Sequence, residues 1–164
     1  MLNASARPPA PLPRATYLLL LLNADNGASI QGRTKLVKLA FLVQKRVVEG
    51  LKIGVSEESY SFRPLHYGPF TEEVFDDLAA LQMLNLVSVV GDDPDSQNFM
   101  ITDRGREAVR RLADEARVSS ILMQEIGKVK VMYGRMPLNQ LIDRVYHDYP
   151  EYTEKSEIKN RYLY

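Results

Sequence analysis

Apolar residues return every three or four positions through most of the chain, and that spacing predicts helices. The first spans Ala15 to Asn23 around the apolar run Tyr17–Leu22, ending in the turn-rich stretch ADNGAS. The second runs from Arg33 to Glu49 and stops at Gly50. At about 100° per residue, Leu36, Leu39, Ala40, Val43 and Val47 share one of its faces. Val37, Phe41 and Val48 fall on the neighbouring arc, so this helix is expected to be covered on two sides. Lys35, Lys38, Lys45 and Arg46 gather on the remaining face around Leu42.

Residues 51–70 break the period. Tyr60 and Phe62 alternate with polar neighbours as in a short strand, and Pro64 and the Gly68–Pro69 pair should end any regular element. Thr71 is a natural N-cap for a third helix, Glu72 to Leu84, with Val74, Phe75, Leu78 and Leu81 as its apolar stripe. Two short strands follow, Leu86–Val90 and Asn98–Thr102, separated by the polar turn GDDPDSQ. A fourth helix covers Asp103 to Arg117 and buries Ala108, Val109, Leu112 and Ala116. A fifth covers Ser119 to Tyr133, with Leu122, Ile126 and Val129 at apolar spacing, although Gly127 weakens it. The sixth starts at Pro137, a favoured first position, and runs to Tyr146 over Leu138, Leu141, Ile142 and Val145.

Helix, hairpin and helix in immediate succession are the layout of a winged-helix domain. The expected fold is therefore mainly α within the α+β class: a winged helix-turn-helix-like core, a short β-hairpin wing and a C-terminal helical extension. Residues 1–14 read as a flexible Pro-rich arm, 15–117 as the winged-helix-like domain, and 118–164 as helices with a Tyr-rich tail, packed on the domain or a partner. Tyr146, Tyr149, Tyr152, Tyr162 and Tyr164 supply that tail's rings, and homodimerisation through the extension is an open possibility.

Composition narrows the class of partner. Twenty-one basic side chains, 21 acidic ones and a pI of 6.7 lower the prior for a nucleic-acid binder, whose affinity rests on neutralising phosphates. Zero Cys removes disulfides, thiolate nucleophiles and most structural zinc sites. The start lacks the regions of a signal peptide. The run Tyr17–Leu22 is far short of the roughly 20 residues of a membrane span. A cytoplasmic protein without a membrane partner is expected. His66 and His147 lie far apart, and no nucleophile elbow, P-loop or dinucleotide fingerprint is present, so a non-enzymatic chain without cofactor or metal is expected.

Charge placement nominates two surfaces. Glu72, Glu73, Asp76 and Asp77 sit on the third helix, with no Lys or Arg from Thr71 to Val90. Their like-charge i,i+4 pairs cost about 0.2–0.5 kcal/mol each, offset by about 0.3–1 kcal/mol per carboxylate well placed at the helix N-terminus. Folding is thus nearly neutral to them, whereas a phosphate lattice would repel all four. Together with Asp92, Asp93 and Asp95 of the wing they form the expected contact surface for a basic protein partner. The alternative is a DNA-binding regulator using Arg33, Lys35, Lys38, Lys45 and Arg46, with Arg7 and Arg14 of the arm.

Three segments bear on family. They are Arg33-Thr-Lys-Leu-Val-Lys-Leu-Ala-Phe41, then His66-Tyr-Gly-Pro-Phe-Thr71 opening a helix, then the passage from Leu81 to Val87. Across residues 15–115 the chain resembles the YwgA-like and SocA/Panacea-type antitoxin group, with Phe41 where that group usually has Tyr. The resemblance marks Lys35, Leu36, Lys38, Leu39, Tyr67, Gly68 and Pro69 as motif positions. It implies a small non-enzymatic module that binds a toxin or another regulatory target, Leu36 and Leu39 serving the core and Gly68–Pro69 setting the backbone ahead of the third helix.

Overall fold

The computed structural model describes residues 11–53 and 58–153. Most of the expected arm, with Arg7, and the tail residues Tyr162 and Tyr164 lie outside them. The chain is mainly helical with two small antiparallel sheets. In order come α1 (Arg14–Gly27), β1 (Ile30–Gln31) and α2 (Arg33–Leu42), which runs on as a π-helical segment, Val43–Gly50. Then follow β2 (Arg63–Leu65), β3 (Gly68–Phe70), α3 (Glu73–Met83), β4 (Val87–Val90), β5 (Asn98–Ile101) and α4 (Asp103–Asp114). The chain closes with α5 (Ser120–Gly134), α6 (Leu138–Asp148) and a 3₁₀ turn, Pro150–Thr153. No helix among the described residues is long and apolar enough to cross a membrane.

The centre is α1. Tyr17 to Leu22 are consecutive and all buried, as expected of a helix that is apolar all round. It packs against α3, α4, α5 and β5. Helical geometry ends at Asn23: Ala24 is extended, and Asp25 and Asn26 take left-handed angles that short polar side chains tolerate. One hydrophobic cluster joins α1 and α2 to Val74 and Leu78 of α3, Ile126 and Tyr133 of α5, and Leu141 and Val145 of α6. The α5 and α6 stripes are therefore spent inside the chain, and the sequence boundary at 117/118 is not a boundary of the core.

Caps explain several helix starts. Thr102 accepts from Gly105 N–H at 3.0 Å and Ser119 from Leu122 N–H at 3.1 Å. α3 starts one residue later than expected, with Glu72 rather than Thr71 as its N-cap, although Thr71 still accepts from Glu73 N–H at 3.2 Å. Gly105 is a packing requirement, since a Cβ there would run into the Leu86 carbonyl. α4 stops at Asp114, short of the expected Arg117, because Ala116 turns left-handed (φ 56°) and is exposed rather than buried. Pro137 sits just before α6 rather than in its first turn.

Two departures concern strands. β1 pairs with β5, Ile30 opposite Phe99, making the order β1-β5-β4; two residues are too few to show alternation. The strand expected near Tyr60 and Phe62 lies instead at 63–65, and Pro64 and Pro69 lie within a hairpin rather than ending it. The register explains their presence. Leu65 faces Gly68 across the two-residue turn and Arg63 faces Phe70, so Pro64 and Pro69 meet at the position where neither N–H is needed. The Pro69 carbonyl is thereby aimed out of the ladder.

Past Leu42 the second helix widens. In the π segment, the Gln44 side chain is buried and pairs with the Tyr60 backbone like a strand neighbour. Its amide donates to Tyr60 O at 3.0 Å, and its carbonyl accepts from Tyr60 N–H at 2.7 Å. Phe41 meets Phe62, Tyr149 and Tyr152 edge to face, with centroids about 5 Å apart. The tail is thus bound to its own domain as far as it is described.

Candidate functional site

The lysines expected to form a basic face go inward. Lys38 is 2% exposed, and its ammonium donates to Pro69 O at 3.0 Å, the carbonyl that the hairpin register turns outward. Lys35 donates to Gly134 O at 3.1 Å and Met136 O at 2.7 Å, closing the C-terminal end of α5. Lys130, which sequence reasoning passed over, is also buried and donates to Leu22 O and Ala24 O at the end of α1. No carboxylate pairs with the Lys38 ammonium among the described residues. A hydrogen bond to a charged donor contributes about 1.5–3 kcal/mol, less than the several kcal/mol of burying an ion. Desolvation therefore wins, and it pushes the pKa of Lys38 down to about 7 and that of Lys130 to about 8. Lys35, less enclosed, is also lowered by burial.

The rest of that set is dispersed. Lys45 pairs with Glu49 at 3.2 Å, and Arg46 lies 5.4 Å from the Tyr133 ring centroid. The Arg33 guanidinium covers the Phe75 ring at 3.9 Å. Arg33, Lys35, Lys38, Lys45 and Arg46 thus form no continuous cationic surface.

The acidic helix divides in two. Arg14, assigned by sequence to the arm, begins α1 and grips Asp77 through Nε at 2.8 Å and Glu73 through Nη1 at 3.1 Å. Asp77 also accepts from the Tyr60 hydroxyl at 2.7 Å, and Glu73 from Ser61 N–H at 2.7 Å. The Ser61 bond, ahead of those from Thr71 and Arg14, holds the Glu73 carboxyl below its usual pKa. Arg14 and Tyr60 are pushed up, Arg14 by its bond to Asp77 and Tyr60 by burial first. Glu73 and Asp77 thus face inward, a correction to the four-acid contact surface. Glu72 and Asp76 are exposed; Glu72 is 3.8 Å from exposed Arg63, and Asp76 meets no cation among the described residues.

The acidic turn between β4 and β5 folds back onto the start of α2. Gln97 O accepts from Gly32 N–H at 2.7 Å and Pro94 O from Arg33 N–H at 3.2 Å. Asp92, Asp93 and Asp95 remain exposed, and an Asp93 carboxylate oxygen accepts from Asp95 N–H. No group of His, Asp or Glu among the described residues could hold a metal ion.

Of the seven expected motif positions, Lys38, Tyr67 and Gly68 line one cavity of about 150 Å³. Arg33 and Thr34, the first residues of α2, and Lys38 one turn on, line one side; His66, Tyr67 and Gly68 line the other. Leu65 and Phe70 complete the wall. Gly68 is needed there on two counts. Its φ is +100°, and a Cβ would stand 3.0 Å from the Tyr146 ring. Leu36 and Leu39 are fully buried, as the core role requires. Sequence reasoning missed Thr34 as a lining residue and Tyr146 as the wall behind Gly68; neither carries a signal without the fold. No protein-family model matches the chain, and no curated protein matches it.

Proposed function

We propose that this chain is a non-enzymatic, regulatory recognition module of antitoxin type, with a winged-helix arrangement, whose ligand is a protein. Connectivity supports the arrangement: α1, β1, α2, α3 and the β4–β5 hairpin follow in order, β1 lies beside β5, and the β2–β3 hairpin is inserted between α2 and α3. The resemblance of the Arg33–Phe41 and His66–Thr71 segments to the SocA/Panacea-type antitoxin group supports the same reading.

The carrying observation is the outer face of α3, the element that would enter a groove. It exposes Glu72, Asp76, Ala79 and Ala80, and then Met83 at 85% and Leu84 at 57% exposure; α3 carries no Lys or Arg of its own, and Arg63 of β2 lies 3.8 Å from Glu72. Such a surface opposes the phosphate term that dominates DNA affinity. Exposed methionine beside carboxylates suits an adaptable contact with a basic, partly apolar protein surface.

The test has two arms. Labelled duplex DNA titrated with the protein at low salt is expected to show no saturable anisotropy change. Retention that weakens steeply with salt would replace this reading with the DNA-binding one. Co-expression with the product of the adjacent reading frame is expected to give capture that Asp76→Lys with Met83→Glu abolishes. Capture undiminished in that variant removes α3 as the contact.

A further inference from the structure

The cavity between the start of α2 and the β2–β3 hairpin lies apart from the outer face of α3, and its chemistry is one-sided. Arg33 and Lys38 bring cationic side chains to it and Thr34 a hydroxyl, and among the described residues no carboxylate lines it. The Lys38 ammonium spends one bond on Pro69 O, and an ammonium has three donors to place. Arg33 lies with its guanidinium over the Phe75 ring, which leaves the N–H edge unused. No carboxylate or carbonyl takes that edge among the described residues.

Lys38 is buried here, with Arg33 half-buried beside it, and burying an ammonium without a counter-charge is unfavourable unless a ligand supplies one. The volume suits a small group: about 150 Å³ exceeds the roughly 30 Å³ share of one water in the liquid several-fold. The apolar walls Leu65 and Phe70 would strengthen electrostatic contacts by excluding water. We propose that this cavity binds a compact oxyanion, a carboxylate or phosphoryl group, held by the Lys38 ammonium from the interior and the Arg33 guanidinium from the rim. Lys35, although a motif position, takes no part; its ammonium is committed to α5.

The full chain is titrated with sodium phosphate and with sodium acetate, and the amide ¹H–¹⁵N shifts of Thr34, Lys35 and Gly68 are followed. Sodium chloride at matched ionic strength is the control. Saturable shifts with either oxyanion, absent with chloride, are expected. Lys38→Met should abolish them, and Arg33→Gln should weaken the affinity about tenfold, the loss of one charge-assisted bond. Saturation by phosphate alone assigns the site to phosphoryl groups, and by acetate alone to carboxylates. Shifts that chloride reproduces, that never saturate, or that persist unchanged in Lys38→Met overturn the proposal. If the spectrum of Lys38→Met is that of an unfolded chain, Arg33→Gln decides: unchanged affinity there is equally fatal.

Discussion

Lys38 occupies the interior with one backbone carbonyl as its partner, so its charge state couples directly to folding. Its folded pKa of about 7 lies below the ordinary lysine value of 10.5. Between those limits the unfolded chain binds more protons than the folded one, and stability rises with pH. The contribution reaches about 1.4 kcal/mol per pH unit; below about 7 the burial cost is fully present. Removing the ammonium removes this dependence. The stability of Lys38→Met relative to wild type, from urea unfolding, is therefore expected to decline steadily as pH is raised from 7 to 10. A constant difference across that range would contradict a desolvated Lys38. The signal for burial was present in the sequence, because Lys38 stands between Phe41 and Leu42 when projected down the helix. Charge alone, read without its neighbours, suggested solvent.

At the scale of elements, the helices close one another. Lys35 of α2 satisfies the end of α5, and Lys130 of α5 satisfies the end of α1. Helix periods and turn residues located all six α-helices and the β4–β5 hairpin, because each buries a stripe or carries its own cap. They could not locate β1, whose partner Phe99 is distant in sequence, the π segment, whose Gln44 side chain bonds the Tyr60 backbone, or the β2–β3 hairpin, whose Pro64 and Pro69 read as breakers but face one another across a two-residue turn. The same distance hid the tie between α1 and α3. Arg14 and Asp77 have side chains only 15% exposed, and losing the cation leaves carboxylates facing a half-buried surface. Arg14→Leu is expected to lower unfolding free energy by about 2–3 kcal/mol. Adding Asp77→Asn should restore part of it, as a double-mutant cycle in chemical denaturation would measure. Strict additivity would mean the pair is not energetically coupled.

Over the whole molecule, the α5 and α6 stripes complete the core around α1 and α2 rather than presenting a second surface. Chain cut after residue 117 is therefore expected to lose cooperative urea unfolding and near-ultraviolet circular dichroism; a sharp transition in that fragment would make the two helices dispensable. Of the candidate site, the motif positions were legible as short sequence strings. Their meeting place was not, since it depends on the hairpin register that turns the Pro69 carbonyl toward Lys38. Net charge was legible and its geography was not: Arg14 is spent on Glu73 and Asp77, and Lys35 and Lys130 on backbone carbonyls within the body. The Arg14 tie also has a mechanical side. Pulling on the amino end loads Leu12, buried in the core, and then Arg14, whose guanidinium fork passes force into α3. A tug on that end therefore works against the interior and the fork together.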